Sequence, residues 1–425
     1  MAGGKGSRIA SITSDIPKPM IPVCGKPILE HQIECLKKSD LTDITIITGH
    51  LGRHIKDYFG NGSDFGCNIS YFSETEPLGT AGALYKLESL PDDFILLNGD
   101  IIFDIDFSRM LSFHREKKAW GTLAVHPNDH PFDSTLIVSN NDSRITGWLN
   151  KEDDRLYYKN IVNAGIHILS ARLIENCHQS KEKIDLDRDI LKPMIQTANI
   201  FAYRTPEYIK DMGTPKRYAQ VSADIKNGIV AGKNLTLAQK AIFLDRDGTI
   251  NTFNGFVKTE EDLELIEGAA EAINIINNLG FLAIVITNQP VIARGEVDFE
   301  TLDLIHKKME TELGKHGAFI DDLLYCPHHP DKGFPGERPE YKIDCDCRKP
   351  KPGMILQAAK KYNIDLSNSY MVGDDKRDVQ AGIKAGCTSV FLSNNKPHED
   401  MSDIRIFGSL LDFVKQLARQ HGAGT

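Results

Sequence analysis

The stretch Ala241-Ile242-Phe243-Leu244-Asp245-Arg246-Asp247-Gly248-Thr249-Ile250-Asn251 constrains this chain more than any other. An apolar run rich in β-formers, stopped by two acids one residue apart and then Gly-Thr, predicts a buried strand that delivers carboxylates to its C-terminal edge. Open α/β sheets keep their ligands at that edge. Alternation along an extended segment turns Asp245 and Asp247 to the same side, where two carboxylates can hold a divalent cation and divide nucleophilic and acid/base work. An Asp-Gly turn closing a hairpin is the competing reading of the motif taken alone.

Three later pieces complete a set. Phe281-Leu282-Ala283-Ile284-Val285-Ile286-Thr287-Asn288-Gln289 is a second apolar strand, ending in a hydroxyl and an amide. Arg348-Lys349-Pro350-Lys351-Pro352-Gly353 is a cationic turn, and Tyr370-Met371-Val372-Gly373-Asp374-Asp375-Lys376-Arg377-Asp378 is a further strand ending in acids. In this order they resemble the four motifs of the haloacid dehalogenase superfamily of phosphotransferases. The resemblance implies a two-step phosphatase in which Asp245 attacks phosphorus and Asp247 protonates the leaving alkoxide and then activates water. It implies Mg²⁺ held by Asp245, Asp374 and the backbone carbonyl of Asp247. Thr287 and a lysine would neutralise the transferring group. Lys349 is preferred over Lys351 because the nearest subfamily carries Arg-Lys-Pro here, with Arg348 reaching the substrate. Asp375 and Asp378 are expected to orient the site.

The same half contains Cys326-Pro327-His328-His329 and, after a Gly/Pro-rich loop, Cys345-Asp346-Cys347. Thiolate and imidazole ligands in two close pairs suit a tetrahedral structural Zn²⁺, and the loop between them lacks an apolar pattern of its own. Unligated thiols in a reducing compartment are the alternative. His328 is expected as the fourth ligand, because it pairs with Cys326 as Cys345 does with Cys347. Zinc loop and acid motifs together resemble the heptose 1,7-bisphosphate 7-phosphatase branch, whose sibling acts on histidinol phosphate. The resemblance spans about residues 239 to 420 and includes Asn288 and Ile292-Ala293-Arg294-Gly295, with Asn288, Arg294 and Arg348 as implied substrate contacts. Pro290-Val291 stands where the branch has Ser-Gly. Proline removes a backbone N–H there and valine narrows the backbone choices.

With 425 residues and 41% hydrophobic content, the chain can bury more than one core. No apolar run approaches the roughly 20 residues of a spanning helix, and glycines stand where a signal peptide has its apolar core, so a cytoplasmic protein is expected. Of eight cysteines, three fall in the zinc loop and five are scattered, which does not suggest a disulfide framework. A net charge of −9 without a long basic run argues against nucleic acid as a partner. Membranes are likewise not expected partners.

Residues 1 to about 225 alternate strand-like runs, such as Ile44-Thr45-Ile46-Ile47-Thr48 and Phe94-Ile95-Leu96-Leu97-Asn98, with amphipathic stretches. They open with Ala2-Gly3-Gly4-Lys5-Gly6-Ser7-Arg8 and Pro17-Lys18-Pro19, a glycine-rich loop with cations suited to a triphosphate. A floppy terminus is the alternative for the loop alone. Pro77-Leu78-Gly79-Thr80-Ala81-Gly82, Asn98-Gly99-Asp100, Asn163-Ala164-Gly165 and Asp211-Met212-Gly213 follow. The ordered set resembles the sugar-1-phosphate nucleotidyltransferase family. That resemblance implies Mg²⁺ on Asp100 and Asp211, phosphate contacts from Gly3, Gly4, Gly6, Arg8 and Lys18, base contacts from Gly79 and Thr80, and sugar-phosphate contacts from Asn163 and Lys151. Lys151 follows Asn150 where the family commonly has Glu-Lys, and a solvated lysine is the alternative. Family members carry a β-strand ahead of the glycine loop, whereas only Met1 precedes Ala2, so a truncated start or a gap in the first sheet is expected.

The expected architecture is α/β with two Rossmann-like domains: a nucleotidyltransferase fold over 1–225, a linker over 226–238, and a haloacid dehalogenase-like fold with a zinc loop over 239–425. A 7-phosphatase leaves a heptose 1-phosphate and a nucleotidyltransferase consumes a sugar 1-phosphate, so the fusion would join consecutive steps. GTP is the favoured nucleoside triphosphate, because the first half is similar to mannose-1-phosphate-type guanylyltransferases. A histidinol-phosphate phosphatase, or a silent nucleotide-binding first half, are the alternatives.

Overall fold

The computed structural model describes residues 16–393 and 404–422. Packing divides the chain into two units. The first takes the residues up to His126, Ile137–Leu149 and Asn163–Asn234; the second takes Pro127–Leu136, Asn150–Val162 and everything from Leu235 on. Among the described residues no helix is long and apolar enough to cross a membrane.

The second unit is built on six parallel strands in the spatial order Asp322–Cys326, Leu282–Asn288, Ala241–Leu244, Tyr370–Gly373, Thr388–Leu392 and Arg405–Phe407. In chain order this is 3-2-1-4-5-6, a doubly wound sheet whose direction of winding reverses between the first and fourth strands. Continuous apolar runs suit such strands because both faces are covered. Along Ala241–Leu244 the alternation divides the burial: Ile242 and Leu244 pack with Ile273, Met309 and Phe413, while Ala241 and Phe243 pack with Ile355, Ala358 and Tyr362.

The helix Phe299–Lys315 is covered further by the 150–162 stretch of this same unit. The backbone amides of Tyr158 and Asn160 donate to Thr311 Oγ1 and Glu310 Oε2, each at 2.9 Å, and Lys159 pairs with Asp303 at 2.5 Å.

The first unit contains a mixed sheet in which Ile200–Arg204 runs parallel to Gly121–His126, and Asp93–Leu97 runs antiparallel to Val162–Ser170. Ile101–Asp104 pairs antiparallel with Tyr208–Asp211, and Asp43–Thr48 pairs parallel with Asn68–Ser73. Among the described residues no strand joins this last pair to another sheet. A helix runs over Pro215–Lys226 near the end of this unit. Thr214 accepts from the Arg217 amide as its cap, and proline at the first position needs no donor. A single turn, Ile229–Gly232, follows.

Candidate active and metal sites

The reversal point of the second sheet sets Asp245, just past Leu244, beside Asp374, just past Gly373. Asp378, from the first turn of the helix Lys376–Ala385, joins them, and one oxygen from each of the three lies within 4.8 Å of the others. Gly248 has φ +80°, and a Cβ there would stand 2.1 Å from Asp374 Oδ2. The backbone therefore approaches the acids as only glycine allows.

Lys349, buried, places its amine 2.7 Å from Asp245 and 2.7 Å from Asp378. These contacts are ionic; neither is aimed as a good hydrogen bond. Burial opposes the ammonium, but Asp245 and Asp378 outweigh it and the lysine is shifted upward. Burial, and then Asp245, push Asp374 up to about 6 and Asp378 to about 7. Three clustered carboxylates, two of them buried and paired with one lysine, form an oxygen-rich set that fits a divalent cation.

Asn288 uses its whole amide on Lys349: Nδ2 donates to the lysine carbonyl and Oδ1 accepts from its amide, both at 3.0 Å. Expected as a substrate contact, Asn288 lines the cavity and also fixes Lys349. Lys351 is more exposed and pairs with Asp344. Thr287 lines the cavity, its hydroxyl accepting from Gln289 at 2.9 Å.

Asp247 is gripped by residues that the sequence did not single out. Arg246, fully buried, donates Nε and Nη2 to its two oxygens at 2.9 Å each. Gln289 Nε2 and Asn251 Nδ2 add bonds of 3.0 Å. Arg246 also donates to Gln289 Oε1 and, through Nη1 at 3.2 Å, to His306 Nε2. His306 is kept neutral, because burial and then Arg246 hold it well below the usual histidine range.

Cys326, His328, Cys345 and Cys347 converge, with ligand atoms within 4.8 Å of one another. Cys345 and Cys347 Sγ stand 3.1 Å apart, and Cys326 Sγ stands 3.7 Å from His328 Nδ1. Thiolates on a tetrahedral zinc stand about 3.8 Å apart, so the cage matches zinc in donor chemistry and nearly in size. The Cys326 thiol, aided by Cys345 and His328 and opposed by burial, holds the Cys347 thiol down at about 5. His329 turns away from the cage, its Nδ1 accepting from the Asp331 amide.

A cavity of about 180 Å³ opens above the acids, with Arg294, Arg348, Arg377 and His329 around it. Arg377 is neutralised by Asp375 at 2.8 Å, and Arg348 donates to the His328 carbonyl. Among the described residues, no ion pair with a carboxylate is seen for Arg294 or Arg348. Burial lowers the Arg348 guanidinium, with Arg377 and Arg294 adding to that effect. Pro290 begins a tight turn in which Arg294 N donates to Pro290 O and Gly295 N to Ile292 O. Proline costs no bond there, and Val291 is buried against Leu302.

In the first unit, Gly3, Gly4, Gly6 and Arg8 lie outside the described residues. Lys18 Nζ sits 2.5 Å from Asp100 Oδ2. Asp211, paired in register with Ile101, receives Arg217 Nη1 on both oxygens at 2.7 and 2.6 Å. The two acids thus stand at one end of the same ladder, each already holding a cation. Gly79, with φ +86°, lies so close to Ile184 that a Cβ would meet its carbonyl at 2.3 Å. Thr80 Oγ1 accepts from Leu186 N at 2.7 Å. Asn163 donates to both oxygens of Asp187 at 3.3 and 3.4 Å, and burial, then Asp185, push that carboxyl upward. The Asp185-Leu186-Asp187-Arg188-Asp189 segment escaped the sequence reading, although its acids at every second residue were a visible signal. Lys151 lies in an exposed turn near Glu152, within the stretch that packs with the second unit.

Residues 1–228 match the Nucleotidyl transferase family, and residues 346–406 match the HAD-hydrolase-like family. The D-glycero-beta-D-manno-heptose-1,7-bisphosphate 7-phosphatase of Vibrio cholerae is 42% identical over 162 residues, 38% of this chain and 85% of that one. The Escherichia coli K12 protein of the same name is 40% identical over 188 residues, 42% of this chain and 94% of its own. Among solved structures, the D,D-heptose 1.7-bisphosphate phosphatase from B. bronchiseptica, complexed with magnesium and phosphate, is 33% identical across 43% of this chain and 99% of that one, with a TM-score of 0.38. HddC from Yersinia pseudotuberculosis is 26% identical across 53% and 96%, with a TM-score of 0.46. The chain therefore belongs to the nucleotidyl transferase family over residues 1–228 and, with the HAD-hydrolase-like segment in its second unit, to the family of the D-glycero-beta-D-manno-heptose-1,7-bisphosphate 7-phosphatases.

Proposed function

We propose that this bifunctional enzyme removes the 7-phosphate of D-glycero-D-manno-heptose 1,7-bisphosphate and transfers a nucleotidyl group, GMP from GTP, to the heptose 1-phosphate that remains. The observation that carries the phosphatase step is the cluster of Asp245, Asp374, Asp378 and Lys349 at the sheet's reversal point, beside a cavity lined by Arg294 and Arg348, which have no carboxylate partner among the described residues. An Asp245 oxygen attacks phosphorus, the bond from phosphorus to the sugar oxygen breaks, and Asp247 gives its proton to the departing alkoxide. Asp247 then takes a proton from water as that water attacks the aspartyl-phosphate, releasing inorganic phosphate and restoring Asp245. Lys349 and Thr287 hold the transferring oxygens, while Arg294 and Arg348 hold the rest of the substrate. Mg²⁺, held by Asp245, Asp374 and the Asp247 carbonyl, would screen the nucleophile from the phosphate. Zn²⁺ on Cys326, His328, Cys345 and Cys347 would fix the loop that presents Arg348 and Lys349.

In the transferase step an oxygen of the sugar 1-phosphate attacks the α-phosphorus in line and pyrophosphate leaves. Asp100 and Asp211 are oxygen donors suited to a second Mg²⁺, with Lys18 and Arg8 on the phosphates, Gly79 and Thr80 at the base, and Asn163 and Lys151 at the sugar. The likeness of the first half to guanylyltransferases supports GTP. The functional boundary is placed in 226–238.

The test incubates the chain with heptose 1,7-bisphosphate, Mg²⁺ and GTP or ATP, and follows phosphate and pyrophosphate separately. Phosphate followed by GTP-dependent pyrophosphate is expected. Release from histidinol phosphate instead would overturn the heptose reading, and phosphate without pyrophosphate would leave the first half a nucleotide-binding module. Metal analysis of the purified protein should find about one zinc per chain, absent from Cys347→Ser.

A further inference from the structure

Arg294 is held in an unusual way. Its guanidinium carbon lies 4.7 Å from the ring centre of Phe256 and 4.4 Å from that of Phe334, two residues on separate loops. Its Nε is buried without a hydrogen-bond partner, and among the described residues no carboxylate pairs with it. A carboxylate would fix this side chain but cancel its charge; aromatic faces fix it and leave the charge and the in-plane N–H groups for a ligand.

The Phe334 side of this arrangement is firmly built. Glu337 Oε2 accepts from the Gly333 and Phe334 amides, and Lys342 pairs with Glu337 while lying 4.5 Å from the Phe334 ring centre. Arg338 N donates to Ala293 O, one residue before Arg294. Gly295 approaches Gly336 so closely that a Cβ would stand 1.9 Å from its carbonyl oxygen. Phe334 and Arg294 are thereby brought together by backbone contacts that flank Arg294 and follow Phe334 along its loop.

We propose that Phe256 and Phe334 are positioning residues that aim Arg294 at the phosphate that is not cleaved, and so set the preference for a bisphosphate over a monophosphate. The inference rests on the bisphosphate reading above. A guanidinium presented by its edge meets a phosphate with two parallel N–H bonds, and that geometry is lost if the side chain can rotate away.

The test compares kcat and KM for heptose 1,7-bisphosphate and for p-nitrophenyl phosphate, which has no second phosphate. Phe334→Leu and Phe256→Leu stay apolar and keep much of the bulk without the aromatic face, and Phe334→Tyr retains the face. Each leucine variant should raise KM for the bisphosphate by about tenfold. Its p-nitrophenyl phosphate constants should stay within about twofold, and Phe334→Tyr should behave as the parent. Equal losses on both substrates, or no change on the bisphosphate, would overturn the clamp. A parent enzyme that hydrolyses p-nitrophenyl phosphate but not the bisphosphate would instead sink the substrate reading, and the clamp's proposed role with it.

Discussion

The acids of the two units are treated in opposite ways. In the second unit three carboxylates cluster, two of them buried and paired with Lys349, and Asp374 and Asp378 are pushed up to about 6 and about 7. In the first unit each expected metal acid has its own cation, Lys18 on Asp100 and Arg217 on Asp211. One site is short of positive charge before any ligand arrives; the other is balanced and must exchange partners to work. A strand-end acid therefore says little about metal binding until its neighbours are counted.

Four experiments press on that contrast, the largest effect first. Asp245→Asn should cut phosphate release from the bisphosphate by about 10⁴-fold or more and leave GTP-dependent pyrophosphate release from supplied heptose 1-phosphate unchanged; a fall in both would mean the two sites do not act separately. Asp100→Asn should lower pyrophosphate release by about 10²- to 10³-fold without touching phosphate release. Lys18 would lose its counter-ion in that variant, so a change confined to nucleotide binding would mean that Asp100 serves the lysine rather than a metal. Gly248→Ala, which drives a methyl into Asp374, should raise the Mg²⁺ concentration for half-maximal phosphatase activity by about tenfold or more.

The smallest effect is a pH dependence of stability. Burial, with Asp245, makes Asp374 and Asp378 bind their protons more tightly in the folded protein than in the unfolded chain. Their contribution is therefore fully present below the unfolded carboxyl value of about 4 and is lost as pH rises through about 6 and about 7. Thermal melts of metal-free protein should show this decline across that window, and Mg²⁺ should flatten it. A melt equally steep with Mg²⁺ would place the decline elsewhere.

The second unit's strands were legible because each is a short apolar run broken by a polar stop, a signal carried by adjacent residues. The same local alternation separates His328 from His329, since residues 326 and 328 point one way as 345 and 347 do. Arg246 was not legible: between two acids it reads as a surface residue, and only the fold shows it buried with Asp247, Gln289 and His306 around it. Nor could spacing reveal that Lys18 meets Asp100 across 82 positions of chain, or that the Thr80 loop is tied to Leu186. Such partners are fixed by tertiary packing, which leaves no periodic trace.

The 150–162 stretch, which packs on the helix Phe299–Lys315, has a consequence for how this polypeptide comes into being. On the ribosome, Tyr158 and Asn160 emerge roughly 150 residues ahead of the Thr311 and Glu310 they will bind. Two amides destined for a later partner must wait in water while that partner is still being translated. A gene split between residues 226 and 238 would deliver the second half with one flank of that helix stripped. Separated halves would then have to find each other again, as subunits do, to recover what continuous synthesis supplies within one molecule.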